Sequence, residues 1–135
     1  MENSGCYSLG VIPISAAATV VTTATTALDG MASATFEVSL AYGSGGTKIQ
    51  AYIETCIDGN TWIDIACVTF TTGGGSKIVN LSGLTPKTTA ISPTDGALPD
   101  DTCVDGVLGN QLRVKVISTG VYAGNTVLSV SAAVR

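Results

Sequence analysis

The stretch Thr35-Phe-Glu-Val-Ser-Leu-Ala-Tyr42 alternates without a break. Phe36, Val38, Leu40 and Tyr42 fall on one side, and Thr35, Glu37, Ser39 and Ala41 on the other. A period of two belongs to a strand, and a single apolar side means that one face rests on a core. Upstream, Ala17 to Leu28 is rich in Val and Thr and ends at Asp29-Gly30. A hairpin between these two runs is expected.

Downstream, the runs Thr47 to Ile57 and Trp62 to Thr72 flank Asp58-Gly-Asn-Thr61. Gly and Asn tolerate the positive φ of a tight hairpin. A two-residue loop at Gly59-Asn60 sets residue 57 opposite 62, 55 opposite 64 and 53 opposite 66. One face then gathers Ile49, Ala51, Ile53, Ile57, Trp62, Ala66, Val68 and Phe70, which suits a core. The other gathers Gln50, Tyr52, Glu54, Cys56, Ile63, Ile65, Cys67 and Thr69. Tyr52, Ile63 and Ile65 on that mixed face ask for a cover, from a loop of the same chain or from another subunit.

Gly73-Gly-Gly-Ser76 reads as a turn, followed by a short strand at Lys77 to Leu81. The chain closes with strands at Leu112 to Ser118 and Thr126 to Val134. Between these parts, Gly83 to Asn110 loses all periodicity and holds Pro86, Pro93, Pro99 and four aspartates. A structureless stretch of that length is uncommon inside a compact domain and is usually functional or extended. It reads as an extended arm over 83–110, with Pro99, Asp100 and Asp101 as candidate contacts to a partner. Many short strands, Gly-rich turns and no helical pattern indicate an all-β fold, a single antiparallel β-sandwich of which the jelly roll is one version. That sandwich is expected over 17–135, behind an N-terminal tail and first strand over 1–16.

A chain of 135 residues is long enough to bury about two-thirds of its unfolded surface. Charged residues make up 12%, about half the usual share. The net charge of −4 argues against a nucleic-acid partner, which needs a basic face. Val11 to Leu28 is fairly apolar, but Pro13 and repeated Ser and Thr interrupt it. A membrane span needs about 20 mostly apolar residues, so strands are expected there and no membrane contact. Met1-Glu2 lacks the basic start of a secretory leader.

The chain has no histidine, which excludes Ser/His/Asp chemistry and leaves any cysteine nucleophile without its usual base. No enzyme and no cofactor are expected. Asp58, Asn60 and Asp64 lack the spacing of a calcium loop and read as a hairpin turn. Asp95, Asp100, Asp101 and Asp105 read as a solvated loop, with turns at Asp95-Gly96 and Asp105-Gly106.

Cys6, Cys56, Cys67 and Cys103 match no zinc motif. In the hairpin register, Cys56 and Cys67 stand four residues apart along the ladder. That is about 13 Å at ~3.4 Å per residue, beyond the ~7 Å reach of a disulfide. Three outcomes stay open: reduced thiols packed as small hydrophobes, cross-links within the chain, and cross-links between subunits. A formed bridge contributes ~2–4 kcal/mol. Cys103 is expected to meet a cysteine of the tail or of a neighbour.

Five stretches resemble small virion proteins of tailed bacteriophages. They are Lys48 to Thr72, Thr94-Asp-Gly96, Asp105-Gly-Val-Leu-Gly109, Leu112-Arg-Val-Lys-Val116 and Thr119-Gly-Val-Tyr-Ala-Gly-Asn-Thr126, and the resemblance spans residues 33 to 135. It implies a small all-β structural protein of the head or neck. The role expected first is a capsid decoration or cement subunit that clamps the shell. A neck, collar or head–tail joining protein is the alternative, and a host-binding adhesin comes after both. Its partners would be the major capsid protein or neck proteins and further copies of itself. It would be assembled in the host cytoplasm and carried in the virion, with disulfides forming after release from the reducing cell. The face of Tyr52, Ile63 and Ile65 is then expected to be buried in the assembly. Removing residues 86–104 is expected to spare the sandwich and abolish assembly.

Overall fold

A computed structural model describes residues 4–25, 28 and 30–135, and among them it holds strands and turns with no helix. Two antiparallel sheets pack face to face. In spatial order the first holds β1 (Gly5–Pro13), β11 (Val127–Val134), β3 (Ser33–Ala41) and β7 (Gly75–Ser82). The second holds β2 (Ala18–Val21), β9 (Gln111–Thr119), β5 (Lys48–Cys56), β6 (Trp62–Phe70) and β8 (Thr102–Cys103). A ribbon of β4 (Ser44–Gly45) and β10 (Tyr122–Ala123) ties together the crossovers from β3 to β5 and from β9 to β11. The fold is the all-β sandwich that the alternation predicts.

Phe36, Val38 and Leu40 of β3 and Leu128, Val130 and Val134 of β11 form one wall of the core. Ile49, Ala51 and Ile53 of β5 and Leu112, Val114 and Val116 of β9 form the other. Burying each of the larger side chains contributes ~1.5–3 kcal/mol. The hairpin expected between residues 17–28 and 35–42 does not form. β2 pairs with β9 in the second sheet, whereas β3 pairs with β11 and β7 in the first. β-branched runs specify a strand but not its partner, and here the neighbours in sequence lie across the core. Past β2 the chain stays on β9: Thr25 bridges Leu112, and the Leu28 N–H donates to Asn110 O at 3.1 Å. Asp29 of the expected turn lies outside the described residues, as do Met1 and Glu2.

The β5–β6 hairpin keeps part of the expected register. Ile53 faces Ala66 and Tyr52 faces Cys67, but Glu54 faces Asp64, Thr55 faces Ile63 and Cys56 faces Trp62. Ile65 is therefore an extra residue, a β-bulge that re-aims the neighbouring side chains of its strand. Ile65 turns into the core with Ala66, correcting its expected place on the outer face. Asp64, which unbroken alternation would send inward, turns out to stand beside Glu54. Trp62 leaves the expected core face, and Ile57, also expected there, is 67% exposed. At the hairpin tip Asp58 Oδ1 accepts the Asn60 N–H at 2.8 Å and the Thr61 N–H at 2.6 Å, with Gly59 at φ +79°. That is the expected turn, built by a side chain that mimics a backbone carbonyl.

The segment 83–110 does not extend away from the body. It folds back over the outer face of the second sheet, and within it β8 adds to the edge of β6. The chain rejoins β9 at Gly109, whose N–H donates to Thr55 Oγ1 at 2.8 Å. A side chain at Gly109 would collide with the Cys56 carbonyl, so a glycine is required at this seam.

Candidate functional site

Two outer faces could serve a function, and they differ in chemistry. On the second sheet, side chains line up across strands: Arg113, Glu54 and Asp64 in one row, then Lys115, Tyr52 and Cys67 in the next. The arm covers them and is held by its aspartates. Asp101 accepts the Thr69 N–H and hydroxyl, each at 3.0 Å, and pairs with Lys77 at 3.1 Å. Asp100 pairs with Lys48 and accepts from Gln50 Nε2 at 2.9 Å. Asp105 accepts the Ser82 N–H at 2.7 Å, and Asp95 pairs with Lys115 at 3.1 Å. All four arm aspartates are exposed, in keeping with the expected solvated loop and its turns at Asp95-Gly96 and Asp105-Gly106. These carboxylates face bases and N–H groups of their own chain.

Asp64 anchors the arm from the sheet side. It accepts the Thr94 hydroxyl at 2.8 Å and the N–H groups of Gly96, Ala97 and Leu98 at 2.9, 2.9 and 3.2 Å. Burial pushes its carboxyl up, but contacts with Glu54 and the Ala97 and Gly96 N–H groups outweigh that and hold it below its usual range. Beside it, Glu54 is fully buried. Its Oε1 accepts from Arg113 Nε at 2.8 Å, and among the described residues no donor meets its Oε2. Burial first, then the adjoining carboxyls of Asp95 and Asp64, push the Glu54 carboxyl up to about 8 against the pull of Arg113. Arg113 also stacks over the Trp62 ring, 4.2 Å from its centroid. Glu54, Asp64 and Asp95 each offer an oxygen within 4.8 Å of the others.

The sequence reading missed this cluster. Its one sign was Asp64 between Ile63 and Ile65, a carboxylate that regular alternation puts in a core, where it cannot stay.

Of the expected interface residues, Pro99, Asp100 and Asp101 are exposed, and Tyr52, Ile63 and Ile65 are covered to different degrees within the chain. Tyr52 lies buried beneath the arm, Ile65 is in the core and Ile63 is half-buried. The Pro99 carbonyl accepts the Thr102 hydroxyl at 2.6 Å, while Asp100 and Asp101 make the pairs just described. Over Tyr52 the expected cover is supplied by the chain's own arm.

All four cysteines are free. Cys56 is buried, with Sγ 3.6 Å from Asp58 Oδ1. Cys67 is buried opposite Tyr52, and burial pushes its thiol up to about 11. Cys103 is half-buried opposite Ala66, with Sγ 3.5 Å from Asn80 O. Cys67 and Cys103 occupy adjacent strands but alternate positions, so their side chains leave opposite faces. Cys6 sits on β1, at the far edge of the first sheet from β7 and Cys103. The expected meeting of Cys103 with the tail cysteine does not occur within the chain. Cys6 is the exposed thiol.

Among the described residues, no segment covers the outer face of the first sheet. Its rows run Cys6, Ala133, Thr35, Asn80 and then Ser8, Ser131, Glu37, Ile78. Val11 and Ile78 are 65% and 64% exposed, and Cys6, Thr35, Glu37, Ile78 and Ser131 line a shallow depression. Glu37 is the one charge at the outward positions of these four strands. No protein-family model matches the chain, and no curated protein matches its sequence.

Proposed function

We propose that the chain is a non-enzymatic structural subunit of a tailed-phage virion, a decoration or cement protein that lays the first sheet against neighbouring shell subunits. The observation that carries this reading is the bare outer face: small side chains, one charge, and exposed Val11 and Ile78. Such a face can be buried with little desolvation of charge, and exposed apolar patches favour protein contacts. The resemblance of residues 33 to 135 to phage virion proteins points the same way. Partners would be the major capsid protein and further copies of the chain. Cys6, on this face, is the thiol able to cross-link two subunits in a released particle.

A neck or collar ring is the second reading, and β2 favours it. Its four residues are all exposed at the open edge of the second sheet, where a neighbouring copy can add a strand.

The test is to purify particles, identify the chain in them, strip it and add it back. Rebinding over the whole shell, lost with Ser131→Lys, supports decoration. Binding at the portal vertex alone supports the ring. Absence from particles refutes both.

A further inference from the structure

We propose that one proton, shared between Glu54 and the carboxylates of Asp64 and Asp95, seals the arm onto the second sheet, and that losing it at alkaline pH unlatches residues 94–98. The gap is built from three elements. β5 supplies Glu54, β6 supplies Asp64 through the bulge, and the arm supplies Asp95. β9 adds the facing cations, with Arg113 on Glu54 Oε1 at 2.8 Å and Lys115 on Asp95 at 3.1 Å. Glu54 Oε2 is buried, and besides the Arg113 guanidinium on Oε1 the Glu54 carboxyl has an oxygen within 4.8 Å of oxygens of two more carboxyls. Ionised oxygens this close repel. With a proton between them, the same geometry gives a charge-assisted O–H···O⁻ bond.

Charge balance selects the occupant. Three ionised carboxylates against Arg113 and Lys115 leave one net negative charge, which a single proton cancels. A divalent cation would overshoot to a net positive site beside the Arg113 guanidinium. It would also compete for Asp64, which already accepts four donors. One row along, Tyr52 stays neutral, its phenol pushed up to about 12 by burial.

Linkage gives the sign. Folded Glu54 keeps its proton to about pH 8, whereas the unfolded chain releases it near ~4.3. Between those values the folded state binds the extra proton, so stability falls as pH rises, by up to ~tenfold in the folding constant per pH unit, and levels off above the window. Glu54→Gln copies the protonated acid: its carbonyl accepts from Arg113 and its NH₂ donates to the carboxylates, with nothing to titrate.

The experiment compares urea unfolding of wild type and Glu54→Gln from about pH 5 to about pH 10, with amide exchange at Gly96, Ala97 and Leu98. The expected result is a variant-to-wild-type ratio of folding constants that climbs to about pH 8 and then flattens. The three amides should exchange faster in wild type than in the variant at the alkaline end and equally at the acid end. A flat ratio overturns the proposal. So does a ¹³C carboxyl resonance of Glu54, read on wild type alone, that titrates below about pH 5. Millimolar calcium or manganese that protects these amides in wild type at alkaline pH would also overturn it, by assigning the gap to a metal.

Discussion

On the outside of the second sheet, the rows Arg113–Glu54–Asp64 and Lys115–Tyr52–Cys67 lie under the arm. On the outside of the first, Cys6–Ala133–Thr35–Asn80 and Ser8–Ser131–Glu37–Ile78 lie open. The covered face uses three of the six basic residues in the chain, Lys48, Arg113 and Lys115, and Lys77 reaches the arm from the edge strand β7; all four pair with arm aspartates or Glu54. The open face uses none. A tethered loop returns to the same place each time, so each carboxylate can be matched to a donor. A face left for another molecule has no such guarantee, and small neutral side chains fit many shapes at low desolvation cost. The contrast shows which surface the chain keeps for itself.

Asp64→Ala should break the covered face hardest. It strands the Thr94 hydroxyl and three N–H groups at once, a loss of ~3–5 kcal/mol by urea unfolding. Gly109→Ala should come next at ~1–3 kcal/mol, since a methyl there meets the Cys56 carbonyl and the arm's return must shift. Acid should act more mildly at each carboxylate. Hydrogen bonds from Lys48 and Gln50 to Asp100, and from Ser82 to Asp105, hold those carboxyls below the usual range. Asp101 also sits low, because its bonds from Thr69 and Lys77 outweigh burial. Their contribution is complete above the unfolded value of ~3.9 and is lost as pH falls through the lower folded values. Below about pH 4, Trp62 fluorescence should therefore report arm release before far-UV circular dichroism reports loss of the sheets. Ser131→Lys on the open face should change stability by less than ~0.5 kcal/mol. An equal loss from Ser131→Lys and Asp64→Ala would erase the contrast between the faces.

The core was legible in the sequence because it is written in period two. Phe36, Val38 and Leu40 stand where their alternation put them, and Ile53 meets Ala66 as the turn implied. What failed was phase. Ile63-Asp-Ile-Ala66 reads as regular alternation until Asp64 is asked to sit in a core, and one inserted residue exchanges the places of Asp64 and Ile65. The arm was hidden for a different reason. Its attachments run from carboxylates to backbone N–H groups and to lysines on distant strands, and such bonds leave no apolar periodicity. Strand partners distant in sequence, β2 on β9 and β3 on β11, were equally invisible, since β-branched residues accept any neighbour of suitable shape.

Along the time axis of synthesis, the pairing of β1 with β11 sets a waiting period. Gly5 opposite Val134 and Pro13 opposite Val127 are contacts between segments made more than a hundred residues apart. β1 leaves the ribosome well before its hydrogen-bonding partner, so the first sheet cannot close until β11 has emerged. β9, which separates β2 from β5 in the second sheet, is also late. The emerging sandwich must remain unassembled, with apolar strand faces open, until β11 is free. Slow folding and sensitivity to crowding by its own copies are then properties of the order in which the strands are made.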